Sequence, residues 1–132
     1  MKELREQIED VIKGEPVALF MKGTPQAIMC GNSYRALTAL HAAGAPVTTV
    51  DILPDPRIRE ELSALSGWPT IPQVFVKGEL IGGADIAEEL AGSGDLEAKL
   101  NEKLGDAWRG SAGQEQVVAV GAGSGPLRVV GS

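Results

Sequence analysis

The chain has no second cysteine. Cys30 is the one thiol in 132 residues, which excludes an internal disulfide framework and makes a reducing compartment the default. It has no second histidine, so a histidine base for Cys30 would have to be His41. That residue lies eleven positions on, about three helical turns away, a poor geometry for a Cys–His couple. His41 reads better as a surface helix residue. There is no basic cluster: 12 Lys and Arg stand against 18 Asp and Glu, for a net charge of −6. Nucleic acid is therefore not an expected partner, since its affinity rests on cationic contacts to phosphate. The opening residues MKELREQIEDVI carry no apolar leader segment, and no run approaches membrane-spanning length. The expectation is a cytoplasmic protein with no membrane partner.

What is present fits one globular core. Hydrophobic residues make up 43% of the chain and its mean hydropathy is +0.01. Leu4, Ile8, Val11 and Ile12 recur at helical spacing before Gly14. Residues 16–21, PVALFM, read as a short buried strand, and 22–29 as a loop around Gly23, Thr24 and Pro25. Helix is predicted from Cys30 to about Ala43, a β-branched strand over 47–52, and helix again over 55–66 behind Asp55 and Pro56. Strand, helix, strand at these lengths is a right-handed βαβ unit with parallel strands. A hairpin follows, 73–76 and 80–82 about a turn at 77–79. Two closing helices are predicted at 85–91 and 95–104. The order is α β α β α β β α α.

Beyond Gly105 the character changes. Residues 106–132 are glycine-rich, with two valine runs and no helical period. They read as a flexible C-terminal tail outside a domain spanning 1–105. Residues 117–120 and 127–130 pairing as a hairpin is the alternative.

Cys30 sits where strand and loop deliver the chain into a helix. Free backbone N–H groups and the positive end of the helix dipole favour a thiolate there. Lys22 adds positive charge from the same edge of the sheet. The plainer alternative is a small core hydrophobe, which free cysteines often are. The flanking Met-Cys-Gly-Asn-Ser is partly polar and unlike a core run. A lone thiolate can attack a disulfide and wait for an external thiol, or supply one of the four ligands of a [2Fe–2S] cluster.

The two stretches MKGTPQAIMCGNS and WPTIPQVFVKGELIGGADI resemble the monothiol glutaredoxins of the CGFS type. The resemblance spans about residues 1–104. It implies a thioredoxin fold, α/β with a central four-stranded mixed sheet flanked by helices, and a cis-proline loop in which Ile71 and Pro72 face Cys30. It also implies a glutathione groove. Lys22 and Arg59 would pair with the glycine carboxylate, and Ile71 would offer its backbone to the cysteinyl portion, with Thr70 and Pro72 beside it. Gly83, Ala84 and Asp85, at the next helix start, would hold the γ-glutamyl end, and Trp68 would flank the groove. Plainer readings stand beside these: Arg59 as a solvated helix residue, Trp68 as packing, Asp85 as an N-cap. Two positions depart from the family. Asn32 replaces its phenylalanine, and Ala84 stands where a second cysteine is common.

The resemblance implies two functions of different classes. In one, Cys30 from each protomer of a homodimer and two glutathione thiols ligate a [2Fe–2S] cluster, making the protein an iron–sulfur carrier more than a catalyst. In the other, Cys30 is the catalytic, redox-active centre of a glutathione-dependent thiol–disulfide oxidoreductase, of weak activity at most. Eight positions separate Lys22 from Cys30, whereas dithiol relatives place the lysine about three before the thiol. The longer loop, Thr24 to Ile28, resembles the carrier class. Iron–sulfur client proteins are implied partners, and a BolA-like protein is a further one. A thioredoxin-fold interaction module with an inert thiol is the third reading.

Overall fold

A computed structural model describes residues 2–111, 114–121 and 127–130. Its elements in chain order are α1 (Leu4–Gly14), β1 (Val17–Met21), β2 (Gly23–Thr24), β3 (Ala27–Ile28), α2 (Gly31–Ala42) and β4 (Val47–Asp51). Then come α3 (Pro56–Ser66), β5 (Gln73–Val76), β6 (Glu79–Gly82), α4 (Ala84–Ser93) and α5 (Asp95–Leu104). A 3₁₀ helix at Asp106–Ser111, β7 (Glu115–Ala119) and β8 (Leu127–Val130) follow.

The sheet runs β6-β5-β1-β4-β7-β8. β1 is parallel to β4 and antiparallel to β5, and β5 to β6 is an antiparallel hairpin. These four strands with their helices are the thioredoxin fold. β1 shows why five consecutive apolar residues form its centre. Successive side chains point to opposite faces, so Val17, Leu19 and Met21 enter one core while Ala18 and Phe20 enter another. The first core packs β1, β4 and β5 against α2, α4 and α5 through Leu37, Leu40, Leu96 and Leu100. The second packs the other face against α1 and α3 through Ile8, Ile12, Ile58 and Leu62, with Phe20 edge-on to Phe75 at 5.7 Å. A strand buried on both faces reads as a continuous apolar run.

Two stops are local. Asp55 caps α3 by accepting from the Arg57 backbone N–H at 3.0 Å, with Pro56 at the first helical position. Lys77 and Gly78 both have positive φ, 49° and 83°, as a two-residue hairpin turn matching the strand twist requires.

The expected four-stranded mixed sheet is present, with β7 and β8 added at its β4 edge. One expectation needs correction: much of the region after Gly105, expected as a tail outside the domain, joins the fold. Trp108 is buried against the first core and donates its indole N–H to Asn101 Oδ1 at 2.8 Å. β7 runs parallel to β4, pairing Val47 with Glu115 and Thr49 with Val117, while Val118 and Val120 are buried in the second core. β8 pairs antiparallel with β7, as in the hairpin alternative. The reason is edge chemistry. β4 is the outer strand of the four, and its unpaired N–H and C=O groups take another strand. Residues 112–113, 122–126 and 131–132 of the expected tail lie outside the described residues.

Candidate functional site

Cys30 is the N-cap residue of α2, in extended backbone conformation at φ −153° and ψ 131°. It is half-buried and its thiol is free. Its pKa lies below the ordinary thiol value. The backbone N–H of Ser33 is the largest cause, followed, on the lowering side, by the N–H of Asn32, the Ser33 hydroxyl and the charge of Lys22; partial burial opposes them. This is the helix N-terminus acting on an anion. Ser33 is fully buried, and its Oγ accepts the Lys22 backbone N–H at 3.0 Å. That bond leaves the hydroxyl proton free for the sulfur.

The loop between Lys22 and Cys30 has a structure of its own. β2 and β3 pair Gly23 with Ile28 and Thr24 with Ala27, and the Met29 N–H donates to Lys22 O at 3.0 Å. The chain therefore leaves Lys22 and comes back to it immediately before the thiol. Asp51 ties this small hairpin to β4, since its Oδ1 accepts from both Gly23 N and Leu53 N at 2.9 Å. Gly23 has φ +95°, and a Cβ there would lie 2.3 Å from Ala27 O. Only glycine fits. Met29 and Tyr34, on either side of Cys30, are exposed. His41, by contrast, pairs with Glu115 of β7 at 3.0 Å.

A cavity of about 320 Å³ lies beside this end of α2. Trp68, Thr70, Ile71 and Pro72 form one wall, and Gly83, Ala84 and Asp85 at the start of α4 form the other. The Ile71–Pro72 peptide is cis. Asn32 and Arg35 of α2, with Ile86 of α4, complete the lining. Gln73 holds the Trp68–Pro72 loop from beneath. Fully buried, it donates through Nε2 to Trp68 O at 2.9 Å and Thr70 O at 3.2 Å. At Gly83 the walls come close, for a Cβ there would be 3.3 Å from Pro72 O and 3.5 Å from the Trp68 indole nitrogen.

The structure thus brings together seven of the groove residues expected from sequence, while Lys22, Cys30 and Arg59 are not part of the cavity lining. Arg59 is exposed and its guanidinium reaches Pro69 O at 3.5 Å, beside the Trp68–Pro72 loop. Asn32, expected beside the sulfur, accepts a hydrogen bond at Oδ1 from Arg35 Nη1 at 3.0 Å. Arg35 and Ile86 are the lining residues that sequence reasoning missed, and Arg35 is the charged one. It sits five positions after the thiol in an unremarkable polar stretch, and nothing local shows that Asp85 and Glu88 face it across the fold. Its Nη2 contacts Asp85 Oδ1 at 2.6 Å, and its Nε donates to Glu88 Oε2 at 3.0 Å. Glu88 and then Asp85 hold its pKa above the ordinary arginine value.

Residues 17–81 match the glutaredoxin family model. A probable monothiol glutaredoxin 2 of Rickettsia felis is 46% identical over 95 residues, covering 72% of this chain and 91% of that protein. The chain belongs to the monothiol glutaredoxin family. Among solved structures, a monomeric truncated mutant of Trypanosoma brucei 1-C-Grx1 matches this glutaredoxin with TM-score 0.70 and 42% identity. The match covers 78% of this chain and 94% of that one. A buckwheat glutaredoxin–glutathione complex matches with TM-score 0.65 and 25% identity, covering 75% and 88%. Among the described residues, no helix of this glutaredoxin is long and apolar enough to cross a membrane.

Proposed function

We propose that this glutaredoxin binds glutathione in the groove beside Cys30 and, as a homodimer, carries a [2Fe–2S] cluster to client proteins. The observation that carries this reading is a lone thiol with a lowered pKa at the N-terminus of α2, the helix that lends Asn32 and Arg35 to a groove with charges of both signs. The groove has the chemistry for a small zwitterionic tripeptide. Asp85 takes the γ-glutamyl ammonium, the α4 N-terminus favours its carboxylate, and the Thr70–Pro72 backbone runs beside the cysteinyl portion. Lys22 and Arg59 take the glycine carboxylate. The buckwheat complex, a related protein bound to glutathione, supports this ligand.

The cluster is cargo, and ligand arithmetic favours sharing it. Among the described residues, no group of three or more His, Cys, Asp or Glu is placed to hold a metal ion. One Cys30 thiolate from each of two chains fills two of four iron positions, and two glutathione thiols fill the others. The hairpin at 23–28, the longer loop that resembles the carrier class, supports this reading over turnover chemistry. A reducing compartment such as the cytoplasm suits an unpaired thiol. A BolA-like protein in place of one protomer satisfies the same arithmetic if it supplies the missing ligands.

The lowered thiol pKa also favours the second reading, deglutathionylation. There the Cys30 thiolate attacks the glutathione sulfur of a mixed disulfide and releases the protein thiolate. A second glutathione thiolate then attacks, regenerating Cys30 and leaving oxidised glutathione. Anaerobic reconstitution with iron and sulfide separates the two. The carrier reading expects the visible absorption of a [2Fe–2S] centre only when glutathione is added, and none in Cys30→Ser. Rapid turnover of a glutathionylated peptide with no cluster formed would favour the oxidoreductase.

A further inference from the structure

Arg35 is the one cationic side chain among the residues lining the cavity, and its contacts suit a displaceable role. Glu88, which does not line the cavity, grips the guanidinium through Nε and Nη2 and so fixes the plane of the fork. The remaining contacts are with lining residues: Nη2 to Asp85 Oδ1 at 2.6 Å and Nη1 to Asn32 Oδ1 at 3.0 Å. The Asp85 side chain is 90% exposed and that of Arg35 is 38% exposed. An ion pair this open to water gives little stability, so exchanging it is inexpensive.

We propose that Arg35 is a further binding and specificity-determining residue of the groove, taking the α-carboxylate of the γ-glutamyl end while Asp85 takes the α-ammonium. This rests on the glutathione reading above. In the free groove Asp85 and Arg35 neutralise one another. An incoming amino-acid head group carries the same two charges at adjacent atoms, so each member of the pair exchanges its partner for a ligand group. The planar fork suits a carboxylate, and Glu88 keeps it oriented through the exchange. Asn32 belongs to this arrangement, since its amide oxygen steadies Nη1. The departure from phenylalanine at this position therefore acts on the γ-glutamyl subsite through Arg35.

The test is calorimetric titration of the reduced chain with three peptides: glutathione, 4-aminobutanoyl-cysteinylglycine, which lacks the α-carboxylate, and glutaryl-cysteinylglycine, which lacks the α-amine. The wild type should bind each analogue about tenfold more weakly than glutathione, the scale of one lost charge-assisted contact at a partly exposed site. Arg35→Gln should weaken glutathione by about the same factor and reduce its preference over the decarboxylated peptide to the part that the α4 N-terminus supplies, while still discriminating fully against the deaminated one. Arg35→Lys should fall between. Circular dichroism shows whether each variant is folded, and Asn32→Ala gives a second, milder perturbation of the same fork. Wild-type affinity in Arg35→Gln, or an undiminished preference for the α-carboxylate, overturns the proposal. So does loss of discrimination only against the deaminated peptide, which would mean Arg35 acts through Asp85 alone. Failure of the wild type to bind glutathione at all would instead remove the groove reading, and this inference with it.

Discussion

Lys22 donates its backbone N–H to Ser33 Oγ at 3.0 Å, joining the end of β1 to the first turn of α2 immediately beneath Cys30. The bond turns the Ser33 hydroxyl into a relay, accepting from the strand and donating to the sulfur.

Ser33→Ala should therefore raise the Cys30 pKa, read from ultraviolet thiolate absorbance against pH. It should not restore the ordinary thiol value, because the Ser33 and Asn32 backbone N–H groups remain. The partly buried Lys22 N–H is left without its Ser33 partner, costing about 1 kcal/mol in denaturant unfolding. The native pKa is depressed, so the thiolate favours the fold. That stability is complete above the unfolded thiol pKa and is lost as pH falls through the native one. A Cys30→Ser variant should lack this rise in stability with pH, and a wild-type curve flat across the window would contradict the assignment.

Gly23→Ala tests the hairpin before the thiol. The new Cβ would meet Ala27 O at 2.3 Å and Met29 N at 2.9 Å, in backbone that L-residues avoid. The strand pair must open, so the variant should lose about 1–3 kcal/mol and show altered thiol reactivity with a disulfide probe. Gly14→Ala, where nothing lies within 4 Å, should be neutral or slightly stabilising. Equal unfolding midpoints for Gly23→Ala and wild type would show the hairpin is not closed.

How much was legible in the sequence depended on the range of the interaction. β1 announces itself through five apolar residues in a row, and α3 through Asp55 and Pro56, because burial and capping are local. Cys30 at a helix start was legible for the same reason. The Asp51 bonds to Gly23 and Leu53, the Gln73 support under the Trp68–Pro72 loop, and the contact of Arg35 with Asp85 were not. Each is set by chain segments that only the fold brings together. β7 was misread because a short valine run between glycines carries no period of its own; its register comes from the open edge of β4.

Gln73 gives a test of the groove wall. Gln73→Leu leaves the Trp68 and Thr70 carbonyls without its amide and should destabilise by about 1–3 kcal/mol. Gln73→Glu places a carboxylate against the same two oxygens and should cost more, about 3 kcal/mol or above. Both should weaken glutathione binding by titration calorimetry. Unchanged affinity in a folded Gln73→Glu chain would show that the groove does not depend on this support.

Truncation after Gly105 removes Trp108, Val118 and Val120 from the cores and uncovers the β4 edge. At about 1.5–3 kcal/mol for each large apolar side chain, the melting temperature should fall by many degrees, with increased aggregation. A truncated chain as stable as the full one would show that residues 106–121 contribute nothing to the fold in solution.

The central claim is that Cys30 shares its cargo with glutathione across two chains, and native mass spectrometry of the anaerobically reconstituted protein weighs that assembly directly. The account predicts a species of two chains, two glutathiones and one [2Fe–2S] cluster, absent from Cys30→Ser. A cluster retained by a single chain, or by a dimer without glutathione, would contradict it.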